Sequence, residues 1–405
     1  MNTGKIIAFG LLGLAAAPAL AQDFLDRLDQ ALTITVGSDN VRARVSGLMD
    51  FEAYYFTPSA PGLIFAGGHT LFNPRLTLFL DTQIGSHVYL FVQSRIDRGF
   101  DPSDARVEVR PDEYALRVTP WEDGRFNFQA GRFATIVGNW SSRHWSWENP
   151  FITAPLPYEN STALYDGEAP LTPKEFLAGV VEAKYEYVPA IWGPSYATGA
   201  SVSGRLGKLD YAAEVKNASL SSRPETWDAT ESGFDHPTGS TRIGFRPNQM
   251  WNLGVSMSEG TFLRPEARAT LPVGRGIGDY HQYLLGQDLG FAWHHWQLWG
   301  EVYEIRFEVP RVGSADTMAY YLEAKYKFTP QLFGAVRWNQ ELFGSVPNGA
   351  GGTTAWGSDV WRTDFAVVYR FTAHAQIKLQ YSLQEEYGQE SKLGHLVAGQ
   401  FSVRF

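Results

Sequence analysis

The sequence predicts an all-β chain, a transmembrane antiparallel β-barrel of about sixteen strands with hydrocarbon outside and water inside. Three observations predict it. Side chains alternate between apolar and polar along stretch after stretch, as in strands whose two faces meet different surroundings. The connections alternate between tight turns and long loops, as in a barrel with short turns at one rim and longer loops at the other. The 405 residues are 44% hydrophobic and 14% aromatic, yet after the first twenty or so no apolar run approaches the ~18 residues of a transmembrane helix. Hydrophobes this abundant and this dispersed belong on alternating strands.

The chain opens on a leader. Lys5 precedes an apolar run over 6–17, and Ala19-Leu20-Ala21 is a small-residue cleavage signal before Gln22. Residues 1–21 therefore read as a cleaved secretory signal peptide. The run is too short to span a bilayer as a helix, which needs ~20 residues. Residues 22–40 form a short mixed segment, and the barrel is expected over 41–405.

The first strand sets the pattern. Val41, Ala43, Val45, Gly47, Met49, Phe51, Ala53 and Tyr55 form one face, and Arg42, Arg44, Ser46, Asp50, Glu52 and Tyr54 the other. A buried strand of a soluble protein would not carry four charges on one face, whereas a barrel strand with water on that side would. The same alternation recurs over 73–82, 87–97, 107–119 and 125–133, then over 196–206, 209–218, 240–246 and 250–259. It returns over 281–293, 296–309, 318–328 and 331–340, and finally over 360–371, 375–386 and 393–405.

Tight turns at 207–208, 247–248, 294–295, 329–330 and 372–373 alternate with long loops such as 219–239, 260–280 and 342–358. Phe245, Phe328 and Phe371 stand just before three of the turns, where an interfacial aromatic belt is expected. Residues 175–188 also alternate. Counting them as a strand makes the total odd and moves the 207–208 turn to the other rim, so they are placed within the connection after the fifth strand. A hairpin inside that connection is the alternative.

Composition excludes several function classes. The chain has no cysteine, hence no disulfide scaffold, thiolate metal site or cysteine nucleophile. Its net charge of −9 argues against nucleic acid as a partner. No H-E-x-x-H or G-x-S-x-G motif is present. Asp235-His236 and Asp279-Tyr280-His281 are the only rim arrangements with hydrolytic potential, and two such clusters among nine histidines are weak grounds for catalysis. No enzyme activity, metal or cofactor is expected.

The segment 393–405, LGHLVAGQFSVRF, alternates to the last residue and stops on an aromatic. In this it resembles the bacterial outer-membrane β-barrel proteins. That resemblance implies that Phe401, Val403 and Phe405 form the signal read by the barrel-assembly machinery, that 22–40 lies in the periplasm, and that the barrel sits in the outer-membrane lipid of a Gram-negative cell.

The stretch 134–195 is far longer than a hairpin needs, and loops beyond ~15 residues are usually functional or disordered. Its many Trp, Tyr and Pro residues describe a stiff, packed loop. It would be the third outer loop, which in trimeric general porins, and in the phosphate-selective porins, folds inward and narrows the pore. In architecture the chain resembles the phosphate-selective porins, and Gly131-Arg132-Phe133 followed by Gly138 looks like the end of their fifth strand. Their anion-binding lysine cluster has no counterpart here. The resemblance implies a passive, water-filled pore for small hydrophilic solutes or ions, and a homotrimer.

The constriction is expected between an Arg-bearing wall (Arg42, Arg44, Arg75, Arg95 and Arg404) and loop residues Arg143, Glu148, Glu159 and Asp166, with Asp50 and Glu52 also on the wall. One reading is a transverse field at the constriction, basic wall against acidic loop, which tunes selectivity. The other is that wall charges pair with one another and stiffen the barrel. Trp140, Trp145 and Trp147 either stack on sugars, making a carbohydrate channel, or pack the loop against the wall; packing is the favoured reading. A barrel plugged by its long loop is the remaining alternative.

Overall fold

The computed structural model describes residues 24–28, 31–36, 40–57, 61–99, 106–179, 184–387 and 392–405. The expected leader over 1–21 lies outside the described residues. Sixteen antiparallel strands close into a barrel. They are β1 Val41–Thr57, β2 Thr70–Ile84, β3 Val88–Asp97, β4 Glu108–Val118, β5 Asn127–Arg132, β6 Thr198–Leu206, β7 Leu209–Lys216 and β8 Thr238–Phe245. The second half comprises β9 Trp251–Thr261, β10 His281–Trp293, β11 Trp296–Val309, β12 Gly313–Lys327, β13 Leu332–Phe343, β14 Asp359–Arg370, β15 Ala375–Tyr387 and β16 Lys392–Arg404.

Closure joins the two ends of the chain. β16 pairs with β1 from Leu48↔Arg404 to Thr57↔His395. Because β16 stops opposite Leu48, the first residues of β1 keep an open edge on that side. The short strand Thr33–Val36 fills it, pairing Thr33 with Arg44 and Val36 with Val41. This supplies partners for backbone groups that an unpaired edge leaves open. Phe405 completes the seam: its amide donates to Gly47 O at 3.0 Å and its carbonyl accepts from Gly47 N at 2.8 Å. Its ring covers Gly47 so closely that a Cβ there would stand 2.2 Å from a ring carbon, which is why a glycine occupies that outward position.

The registers put one set of residues inside and the other outside. On β14, Val367 is 54% exposed and Asp364 is fully buried. Phe365, Leu379, Val397, Leu322 and Val336 are exposed on the outer face, while Arg337, Asn339, Glu341, Arg362 and Lys378 are buried within. This inverts the arrangement of a water-soluble core and matches the period-two reading of the sequence.

The rim holding Val41 and Arg404, here the near rim, carries the tight turns. It also carries aromatic contacts between Trp251 and Phe291 (4.5 Å), Trp296 and Tyr326 (4.7 Å), and Tyr369 and Phe371 (5.1 Å). At the far rim the long connections pack together. Trp227, Phe262, Phe307, Val346 and Trp356 are buried there with Phe176, Val188 and Ile191 in one apolar cluster.

The far rim departs from the expected long loops at one point. β12 starts at Gly313 rather than near 318, so only 310–312 connect it to β11. The chain reverses through Arg311 at φ 61°, and the Arg311 guanidinium donates to Pro170 O and Thr270 O at 3.0 and 2.9 Å. A left-handed non-glycine residue is uncommon, and alternation alone gives no sign of it.

Candidate functional site: the lumen and the loop across it

The connection between β5 and β6 runs over 133–197 and turns inward. Its local structure follows from its sequence. Pro155 and Pro157 bracket the start of a short helix, Leu156–Glu159, where proline's missing N–H costs nothing. Thr172 caps the helix Pro173–Ala178: its hydroxyl accepts from Glu175 N at 3.2 Å, and Gly179 ends it at φ 75°. This T-x-x-E spacing is a capping-box pattern. The segment 175–188 is thus a helix end, a 3-10 turn at Lys184–Glu186 and the start of a short strand, Tyr187–Pro189, paired with Ser161–Tyr165. None of its described residues belongs to a barrel strand.

Wall side chains hold the loop from several directions. Glu214 on β7 accepts from Thr135 Oγ1 at 2.7 Å. Glu301 on β11 accepts from Trp140 N at 2.9 Å, from Tyr158 Oη at 2.7 Å and from Asn139 N. The chain reaches this carboxylate through Gly138 at φ 72°, where a Cβ would stand 2.1 Å from Tyr303 Oη. Only glycine meets both demands. Further on, Lys378 on β15 donates to Asn149 O at 2.6 Å and to Ser146 O. Asn160 donates to Glu341 on β13 at 2.7 Å. Burying such groups is costly unless hydrogen bonds replace those of water, and these groups find those partners on the loop, so the contacts select one loop position over others.

The expected site residues fall into three groups. In the lumen wall, Arg75 binds Asp50 at 3.2 Å and Glu52 at 2.5 Å. Arg95 binds Asp112 at 2.9 Å, an acid that a bulge between Gln93 and Ser94 brings into reach. Asp50 also accepts from Ser146 of the loop at 2.8 Å and from Ser402 at 2.6 Å. In the middle of the loop, Arg143 binds Glu323 on β12 at 2.8 Å and lies 4.4 Å over the Trp299 ring. Glu159 binds Arg362 on β14 at 2.5 Å. Asp166 is placed elsewhere, in the far-rim loops, where it binds Arg223 at 3.0 Å and Arg264 at 3.1 Å.

The third group lies towards the near rim. Arg44, Arg404 and Glu148 line a cavity of about 490 Å³ with Trp145 and Trp147. Arg42 is exposed beside it on β1. Arg404 stacks 4.3 Å from the Trp147 ring and donates to Ala373 O at 2.7 Å. A second cavity of about 770 Å³ reaches Arg143, Gln297 and Trp299. The wall arginines Arg75 and Arg95 thus face partners on their own wall, and the loop charges Arg143 and Glu159 face the opposite one.

The loop tryptophans are packed. Trp140 lies 4.5 Å from Tyr158, Trp145 lies 4.9 Å from Phe79, and Trp147 sits beneath Arg370 and Arg404. Of the rim histidines, His281 stands 2.8 Å from Glu259.

Several residues central to this arrangement were not singled out from the sequence: Glu301, Glu323, Arg337, Arg362, Asp364 and Lys378. The signal was present, since the alternation of β11 to β15 places each of them on the inward face.

No protein-family model matches the chain, and no curated protein matches it. Solved structures do. Salmonella typhi OmpF in complex with daunomycin superposes with a TM-score of 0.58 at 12% identity, covering 92% of this chain and 100% of that one. An anion-selective porin from Comamonas acidovorans gives 0.56 at 8% identity, covering 90% and 100%. The outer-membrane channel DcaP of Acinetobacter baumannii gives 0.55 at 10% identity, covering 92% and 99%. At these identities the likeness is one of fold.

Proposed function

We propose that the chain is a porin-type channel of the bacterial outer membrane, passing small hydrophilic solutes or ions passively through a lumen narrowed by its third loop. The observation that carries this reading is the inversion of faces in a closed sixteen-stranded barrel: apolar side chains exposed outside, buried Arg, Lys, Asp and Glu inside. Such a wall suits hydrocarbon on one side and water on the other. The fold shared with OmpF, the anion-selective porin and DcaP supports it.

In this reading Arg42, Arg44, Glu148 and Arg404 line the near entrance, and Asp50, Glu52, Arg75, Arg95, Arg143 and Glu159 form the charged constriction. The near rim faces the periplasm, the leader over 1–21 directs export, Phe401, Val403 and Phe405 serve assembly, and the barrel works as a trimer in lipid. The likeness to phosphate-selective porins is one of architecture; without their lysine cluster, no phosphate specificity is proposed. The solute gradient supplies the free energy, and no cofactor takes part.

Reconstitution into planar bilayers tests this. Stepwise ohmic conductance is expected, with a reversal potential in a salt gradient that moves on Arg42→Ala and Arg44→Ala. A folded barrel that passes no current overturns the proposal. It would leave the second reading, a plugged barrel, which is favoured by the burial of Arg337, Arg362 and Lys378 beneath the loop.

A further inference from the structure

We propose that the near vestibule holds a binding site for a small oxyanion, a carboxylate or phosphate, formed by Lys325, Lys327 and Arg370. This deepens the channel reading by naming the class of solute, and rests on it only for the route by which the anion arrives.

The registers place the three cations together. Lys325 and Lys327 are successive inward positions of β12, opposite Ala335 and Phe333 of β13. Phe333 in turn opposes Val368 of β14, two residues from Arg370 on the same face. The three line a cavity of about 450 Å³ together with His294, His295 and Gln297. That volume suits a small ligand with a few polar groups around it.

What marks this cluster is that three cations share one cavity with no carboxylate among the described residues within ion-pairing reach. The loop carboxylate Glu148 acts on Lys325 and Arg370 only from beyond that distance. Lys378, elsewhere in the lumen, is held instead by two loop carbonyls. Arg75, Arg95, Arg143, Arg242, Arg337 and Arg362 each have a carboxylate within ion-pairing reach. Among the described residues, Lys325, Lys327 and Arg370 have none. An aromatic ring stands between them instead: Lys325 Nζ lies 4.2 Å and Arg370 Cζ 5.4 Å from the centre of Phe333. The Arg370 guanidinium is steadied by Gln376 Oε1 at 3.2 Å and Trp147 O at 3.1 Å, both neutral acceptors.

The nearest inward acid on β12, Glu323, is already held by Arg143 at 2.8 Å and faces Arg337 at 3.8 Å. Three cations gathered in a partly enclosed basin repel one another and focus a positive potential into it. A bound anion relieves that repulsion and satisfies the free ammonium donors by charge-assisted hydrogen bonds. The guanidinium and two ammonium groups suit the several oxygens of a carboxylate or phosphate better than a single halide.

Equilibrium binding tests the site without requiring conduction. Trp293 and Trp296 border the cavity, so tryptophan fluorescence of the full-length protein in detergent can be titrated with inorganic phosphate and with succinate at constant ionic strength. A saturable change is expected. The double variant Lys325→Gln/Arg370→Gln should bind about tenfold more weakly or worse, whereas Arg117→Gln on β4 should bind as the wild type. Raising KCl should weaken wild-type binding through screening, a measurement that needs no variant.

No saturable change in the wild type, salt-independent binding, or undiminished binding in a folded double variant would each overturn the proposal. Displacement of phosphate by short-chain phosphatidylglycerol but not by succinate would also overturn it, by assigning the cations to a lipid headgroup. Binding without conductance would refute the channel reading alone, and conductance without binding would refute the site alone.

Discussion

Arg362→Met is the sharpest test of how the loop is held. Arg362 is 1% exposed, donates to Glu159 at 2.5 Å and lies 3.1 Å from Asp364. It thereby joins the loop to the wall in one group. Methionine keeps much of the volume and removes the charge. Asp364 retains Arg337 at 2.8 Å, so the carboxylate left without a cation is Glu159, whose side chain is 8% exposed. Stranding one partner of a buried pair costs about 3–5 kcal/mol. Glu159 still accepts from Ala154 N at 2.9 Å, which places the expected cost near the lower end. About 3 kcal/mol is roughly a hundredfold in the equilibrium between docked and undocked loop.

In planar bilayers the variant should show a larger and noisier open-state current, while retaining the heat-modifiable mobility of a folded barrel. Arg306→Met is the control. Its pair with Asp316 is half exposed on both sides and is worth at most about 1 kcal/mol. A folded Arg362→Met channel with wild-type current and noise would refute the claim that this contact holds the loop in the lumen.

Three further outcomes are expected. Gly138→Ala forces a positive φ and a contact with Tyr303 Oη onto a Cβ, so it should lower stability by about 1–3 kcal/mol, read as a shifted urea midpoint in micelles. Phe405→Ala removes the ring covering Gly47 and should weaken closure by at most about 3 kcal/mol, lowering the folded fraction in vesicles, with Phe405→Trp restoring it. Burial pushes the Lys184 ammonium, which donates to Ile64 O at 3.2 Å, down to about 8. The unfolded chain then binds more protons between that value and the ordinary lysine range near 10.5, so stability should rise with pH across that window. Lys184→Met should make the rise shallower in a pH series of thermal transitions.

The barrel was legible because its determinants are local. Asp50 and Glu52 between Met49, Phe51 and Ala53 declare a strand with a wet face and a greasy face, and Phe245, Phe328 and Phe371 mark where strands turn. The three-residue reversal at 310–312 escaped because a non-glycine residue with positive φ leaves no mark in the pattern of apolar residues. The inward course of 133–197 was expected from a family resemblance and a loop rich in Trp and Pro. Its anchors were not, since Glu159 meets Arg362 across a sequence separation of 203 and Glu301 gathers three separate loop donors.

By itself, then, the sequence determined which side chains point inward and which outward, because a period of two is written residue by residue and survives any register. Only the tertiary structure decided which inward charges neutralise one another and which do not. Pairing depends on the stagger of neighbouring strands and on where one loop crosses the lumen, distances that no spacing along the chain encodes. That is why Arg75 proved to be bound to its own wall, while Lys325, Lys327 and Arg370, unremarked in the sequence, have no carboxylate among the described residues within ion-pairing reach.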